Sequence, residues 1–192
     1  MFDLIKMVFI LTLISTFSGF SLSLLHEATK EPIEMGKLNV VYAPSIKELV
    51  EGYDNDPVAD RVKLKIGTDE RGKDIVQTLF PCKKNGETFA LALDAKAGGF
   101  GGDLSVLLIV DLQAGTLENV AVLTHAETKG IGTSLEPPFI AQFSGRPVTG
   151  PVDLKARGGK LDGMSGATYS SIGITDAVRK GLEMYNQHVE EL

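Results

Sequence analysis

The sequence predicts an α+β protein: a single β-rich domain with segregated helices, preceded by one N-terminal transmembrane helix. Three observations carry this. Residues 7–25 hold no charge, the stretch 61–125 contains several apolar or alternating runs of strand length, and the last residues repeat apolar positions at helical spacing. Strands followed by helices rather than alternating with them point to a sheet with helices packed outside it.

From Met7 to Leu25 the chain reads MVFILTLISTFSGFSLSLL. As a helix this stretch is roughly 28 Å long, close to the thickness of a bilayer's hydrocarbon layer. Its polar residues are mainly Ser and Thr, whose hydroxyls can bond back to their own helix. A cleaved signal peptide is the competing reading. It calls for a basic start, a shorter apolar core and a small-residue cleavage site. Here Asp3 offsets Lys6, the core is long and no such site follows, so a retained anchor is expected. Lys6 precedes the span, which places residues 1–6 in the cytoplasm and the body on the extracytoplasmic side by the positive-inside rule. Residues 26–60, opening with the polar HEATKEPIEMGK, are expected to form a linker, and residues 61–192 the folded domain.

Within that domain RVKLKIG (61–67) and TFALALD (88–94) have strand length and pattern. DLSVLLIVD (103–111) and LENVAVLTH (117–125) flank a turn at LQAGT. The first of these is apolar almost throughout, which predicts a strand buried on both faces. PPFIAQFSG (137–145) suits a short helix ended by Gly145. From about Ser170, Ile174, Val178, Leu182, Tyr185 and Val189 recur at spacings of three and four, one face of an amphipathic helix.

The 192 residues carry a net charge of −6. Without a basic cluster, nucleic acid is excluded as a partner. Cys82 is the single cysteine, so neither an internal disulfide nor a cysteine-ligated iron–sulfur cluster can form. Any redox chemistry has to come from an organic cofactor or from a metal held by ligands other than cysteine. No metal ligands and no catalytic acid–base residues are expected.

GMSGA (163–167) is similar to the nucleophile elbow of α/β-hydrolases. The later histidine such a triad needs is only His188, on the last helix. HAE (125–127) lacks the C-x-x-C that zinc deaminases pair with H-x-E. GGFGG (98–102) fails as a dinucleotide fingerprint, because Leu104 occupies the third glycine position. What remains is three small-residue segments, GGFGG, HAETKGIG (125–132) and DGMSGATYSS (162–171), each beside a strand or helix end. Taken singly they read as turns, and the last as a Ser/Thr helix cap. Taken together they can converge on one edge, where a helix N-terminus offers free N–H groups to a phosphate.

In this order and spacing the three segments resemble the FMN-binding domain shared by the G subunit of the Rnf electron transport complex and the C subunit of the sodium-pumping NADH:quinone reductase. The family motif D-x-x-(S/T)-G-A-T is matched by Asp162, Ser165, Gly166, Ala167 and Thr168. The upstream motif H-x-E-T-P-G-L-G is matched by His125, Glu127, Thr128, Gly130 and Gly132, with Lys129 and Ile131 departing from it. The resemblance covers about Lys96 to Tyr185.

The resemblance implies FMN bound covalently through its phosphate to Thr168, with Asp162, Ser165, Gly166, Ala167, Glu127, Thr128 and Gly130 as cofactor-binding residues. It further implies a flavin transferase for maturation, with Asp162 read by that enzyme. The chain would be a single-pass protein of the inner (cytoplasmic) membrane. It would relay electrons as one subunit of a membrane complex coupling ferredoxin and NAD to ion translocation, not as a free-standing enzyme. The compact length favours the Rnf G subunit. The alternatives are the quinone reductase's C subunit and a membrane-tethered module that binds a phosphorylated ligand reversibly.

Overall fold

The computed structural model describes residues 2–68, 72, 74–124 and 136–189. The chain divides into two compact units, Met1–Val40 and Val41–Leu192.

The first unit is helix α1, Phe2–Lys37. It is long and apolar enough to cross a membrane. None of its side chains is buried. Thr12 donates its hydroxyl to the Val8 carbonyl at 2.8 Å, so this hydroxyl is satisfied within its own helix. The stretch 26–37, expected as a polar linker, continues the helix through Pro32. Proline there removes one backbone donor and disturbs one turn, and the good helix formers around it carry the helix on. A π-helical turn, Leu38–Tyr42, follows.

The second unit opens with α2, Ala43–Leu49, which has Pro44 in its first turn, where a missing N–H costs nothing. Five strands then run in chain order: β1 Val62–Thr68, β2 Asp74–Lys84, β3 Glu87–Gly98, β4 Asp103–Asp111 and β5 Thr116–Thr124. After α3, Glu136–Ile140, and a 3-10 turn, Ala141–Phe143, a two-residue β6, Arg146–Pro147, pairs with the start of β5. The sheet order is β1-β2-β3-β4-β5-β6, every pair antiparallel. The last element is α4, Thr168–His188.

Strand β2 was not anticipated from the sequence. Pro81 interrupts its pattern, and a proline inside a run argues against a strand. The sheet accommodates it because β1 pairs with β2 only as far as Leu79, leaving Pro81 on an open edge. Asn55 covers that edge: its amide donates to the Pro81 carbonyl at 2.9 Å and accepts the Lys83 N–H at 2.8 Å. The turn into β3 is Asn85-Gly86, both at positive φ (54° and 84°), the arrangement a two-residue hairpin loop requires.

Strand β4 is buried on both faces, as its nearly continuous apolar run predicts. Leu104, Val106, Leu108 and Val110 join Leu91, Leu93, Ala95 and Ala97 of β3 in a cluster with Ile174, Ala177, Val178 and Leu182 of α4. Each such Leu, Ile or Val contributes about 1.5–3 kcal/mol by leaving water. On the other face Phe80, Ala90, Ala92, Leu107 and Ile109 are buried, and the Tyr42 ring packs on Phe80 at 5.0 Å. Val189, the last residue of the expected apolar face, lies past the end of α4 and is 39% exposed.

Helix α4 lies close to the sheet along Gly173, Ala177 and Gly181. A Cβ at Gly173 would stand 2.7 Å from both the Gly98 carbonyl and Leu104, and one at Gly181 3.0 Å from Ala95. This close seating fixes where the start of α4 stands.

Candidate functional site

The segment that leads into α4 is held from several sides. Gln142, in the 3-10 turn after α3, clasps Asp162 by its backbone: its Oε1 accepts the Asp162 N–H at 2.8 Å, and its Nε2 donates to the Asp162 carbonyl at 3.0 Å. The Asp162 carboxylate is exposed, and Lys155 Nζ donates to both of its oxygens at 2.7 Å. Next comes a reverse turn from Met164 to Ala167, closed by the Ala167 N–H on the Met164 carbonyl at 3.1 Å. Its third position is Gly166 at φ 79°, the conformation a type II turn demands there and a Cβ disfavours. Ser165 and Gly166 are exposed, while Met164 and Ala167 are buried. The turn is therefore pinned at both ends and open at its tip.

One buried hydroxyl ties this turn to the helix. Ser171 Oγ donates to the Ala167 carbonyl at 2.9 Å and accepts the Met164 N–H at 2.8 Å. The signal for it was the last serine of DGMSGATYSS, which sequence reasoning left without a role.

The residue at the N-cap of α4 is Ala167, with no side-chain cap. Thr168 is the first helical residue and is exposed, and among the described residues its hydroxyl makes no hydrogen bond. The turn-and-cap reading of this segment is thus half right: it is a turn, but no Ser or Thr caps the helix. The leading N–H groups of a helix lack carbonyls in the preceding turn. The first turn of α4 has no acidic residue to occupy the positive end of the helix dipole. The arrangement fits an anion beside Thr168, and a phosphate in particular.

A second expected segment meets the first. GGFGG turns tightly between β3 and β4, with the Gly99 N–H on the Gly102 carbonyl at 2.7 Å. Gly173 of α4 seats against Gly98 and Gly99, where no side chain fits. Phe100 at the tip reaches the Tyr169 ring, centroids 6.1 Å apart. Sequence reasoning gave neither aromatic a part. Strand β5 ends near the start of β4, where Thr124 pairs with Ser105, and the third segment, 125–132, lies outside the described residues. Glu127, Thr128 and Gly130, expected at the site, lie outside the described residues.

Charges farther along α4 tie it to the preceding lobe. Arg157 and Arg179 both reach Asp176, at 2.9 and 2.8 Å. Partial burial alone pushes the Asp176 carboxyl up, but hydrogen bonds from Arg179 and Arg157, with their charges, outweigh it and hold the carboxyl below the usual range. Burial pushes the Cys82 thiol up to about 11, which keeps it protonated and unreactive. A cavity of about 460 Å³ lies at the far end of α4, lined by Leu79, Leu91, Leu112 and Tyr185. It stands about 25 Å along the helix from Thr168 and plays no part in this site.

The fold and the site together define a flavin-mononucleotide-binding domain on a long apolar N-terminal helix, and residues 99–183 match the family model of the FMN-binding domain. The chain is 31% identical over 191 residues to the G subunit of the ion-translocating oxidoreductase complex of Cereibacter sphaeroides, covering 95% of this chain and 84% of that protein. Its identity to the corresponding G subunit of Vibrio cholerae is 26%, covering 95% of this chain and 90% of that protein. Among solved structures, NqrC of Shewanella oneidensis shares the fold, with a TM-score of 0.53 and 16% identity, covering 76% of this chain and 94% of that one. The chain belongs to the family of the G subunits of ion-translocating oxidoreductase complexes.

Proposed function

We propose that this chain is the electron-transfer subunit of a membrane-bound, Rnf-type ion-translocating oxidoreductase complex, coupling ferredoxin and NAD, and that it carries FMN as a phosphoester on Thr168. The observation that carries the attachment is the Thr168 hydroxyl: exposed, without a hydrogen bond among the described residues, and set at the first position of a long helix behind a glycine turn. The dipole of α4 stabilises the single negative charge left on the phosphodiester. Gly163, Gly166 and Ala167 keep the approach to Thr168 free of bulk, for the phosphate and for a modifying enzyme. Bound there, the flavin supplies one- and two-electron transfer; the protein's part is position, burial and field.

Joining Thr168 to free FMN would have to expel water. An activated donor, a flavin dinucleotide held by a flavin transferase, balances the step. Thr168 Oγ forms the new P–O bond, the pyrophosphate bond breaks, the nucleoside monophosphate leaves with the electron pair, and the hydroxyl proton passes to solvent. Asp162 is proposed as a feature that transferase reads. Its backbone is fixed by Gln142 and its carboxylate is exposed, so it is presented without supporting the core. Glu127, Thr128 and Gly130 remain proposed as lining the flavin site.

The apolar α1 is proposed as a retained single-pass anchor in the inner membrane, with residues 1–6 cytoplasmic and the sheet domain extracytoplasmic. A tethered flavin suits that side, where a lost cofactor would not be replaced. The quinone-reductase C subunit shares the fold, but the relatives matched along nearly the whole chain are G subunits. The test is intact mass of the full chain co-expressed with a flavin transferase. An FMN-sized increment in the unsubstituted chain, absent from Thr168→Ala, is expected. The same increment in Thr168→Ala would refute the assignment.

A further inference from the structure

Large apolar side chains exposed singly are ordinary on a protein surface, whereas exposed ones brought together are not. In the sheet domain the two most exposed among the described residues, Phe100 at 70% and Tyr169 at 67%, stand side by side. They come from separate segments, the loop joining β3 to β4 and the first turn of α4, and their rings meet at 6.1 Å with a tilt of 42°. Both are set on rigid backbone. The glycine loop is closed by its own hydrogen bond, and α4 is pressed against it at Gly173. The packed core therefore holds the pair in place, although both rings remain open to solvent.

We infer that Phe100 and Tyr169 form a ledge on which the flavin ring system lies once its phosphate is fixed to Thr168. This rests on the reading of Thr168 as the attachment site. Tyr169 is the next residue to Thr168, so a flexible sugar-alcohol chain from the Thr168 phosphate easily folds back onto it. A planar, electron-poor, apolar ring system is the chemistry two tilted aromatic faces recognise, and covering them removes the largest exposed apolar pair of the domain from water. Both residues are positioning residues: they set how the ring lies, not whether it is attached.

The experiment uses the full flavinylated chain in detergent, with intact mass measured for every variant. Electron transfer from a stacked phenol quenches flavin fluorescence, and a stacked ring has an induced visible circular dichroism. Tyr169→Leu is expected to lower the stacked-to-unstacked ratio roughly two- to tenfold, the range that aromatic pairing energies give. Its fluorescence then rises and its visible dichroism falls. Phe100→Leu is expected to lower the dichroism in the same way. Tyr169→Phe is expected to keep the dichroism while fluorescence rises, because the ring remains and the phenol is gone. Flavin present by mass, with fluorescence and dichroism unchanged in both Leu variants, overturns the ledge and leaves the attachment standing. Absence of flavin from the unsubstituted chain overturns both. Should Tyr169→Leu not be flavinylated, Phe100→Leu, outside the attachment segment, decides by the same readings.

Discussion

At Thr168 the structure sharpens what its loss should do. A capping threonine is worth about 1 kcal/mol, but the cap position belongs to Ala167. Thr168→Ala is therefore expected to change stability by less than about 0.5 kcal/mol, as other exposed substitutions do, and thermal melting of the unflavinylated chain checks it. Gly166 behaves differently. Its φ of 79° makes Gly166→Ala cost about 1 kcal/mol, and the displaced turn should cut the flavinylated fraction. For Asp162→Ala, the lost ion pair with Lys155 is exposed on both sides and worth well under about 1 kcal/mol. Flavinylation should fall while melting stays put; normal flavinylation would strip Asp162 of its recognition role. These residues were legible because a short string of small side chains has few uses beside a helix start. Ser171 and Gln142 were not, since a hydroxyl or amide that braces a loop across the fold leaves no local pattern.

The last helix carries predictions of its own. Gly173→Ala gains up to about 1 kcal/mol of helix propensity, yet its Cβ would stand 2.7 Å from the Gly98 carbonyl. The clash wins, and a loss of about 1–3 kcal/mol is expected. At Gly181 the neighbours are side chains at 3.0–3.2 Å, so Gly181→Ala should cost less. Thermal melting of the two variants side by side tests that order. Asp176, with its carboxyl held low, stabilises the fold above the unfolded carboxylate pKa of about 4 and loses that contribution as pH falls through its lower folded value. Asp176→Asn should thus be less stable than the unsubstituted chain at neutral pH, and the difference should close in acid. A difference that widens in acid would contradict the role given to Arg157 and Arg179. Among the elements, β4 and α4 were readable because burial wrote a continuous or periodic apolar pattern into them. Strand β2 was hidden by Pro81, whose tolerance depends on where β1 stops pairing, and the Asn85-Gly86 pair at its hairpin was not read as a turn. The helix over 26–37 was hidden by its polarity and by Pro32.

On the scale of the whole chain, the unburied apolar surface of α1 predicts that the protein stays with membranes through high-salt and alkaline washes. Central Leu, Ile, Phe and Val each favour insertion by roughly 0.3–0.6 kcal/mol. A mature N-terminus near residues 21–26, read by mass spectrometry, would show cleavage instead and leave Thr168 untouched. That a long apolar helix precedes a sheet domain was plain from charge and periodicity. The meeting of GGFGG with the start of α4 was expected from the places of these segments at strand and helix ends, and its physical cause, the missing side chain at Gly173, appears only in three dimensions.

The sheet joins only neighbours in sequence, β1 through β6 in order, and α4 closes over β3 and β4 afterwards. Strand pairing can thus proceed as the chain leaves the ribosome, N-terminal parts first, with the apolar helix already committed to its surroundings. Thr168 has no helical frame, and Gly173 no seat against Gly98, until that final helix docks. On the proposed reading, a chain with an undocked helix offers the transferase no substrate. Cofactor attachment then becomes a checkpoint in biogenesis: every yellow molecule is one that has finished folding, and the ratio of flavin to polypeptide counts the fraction that did.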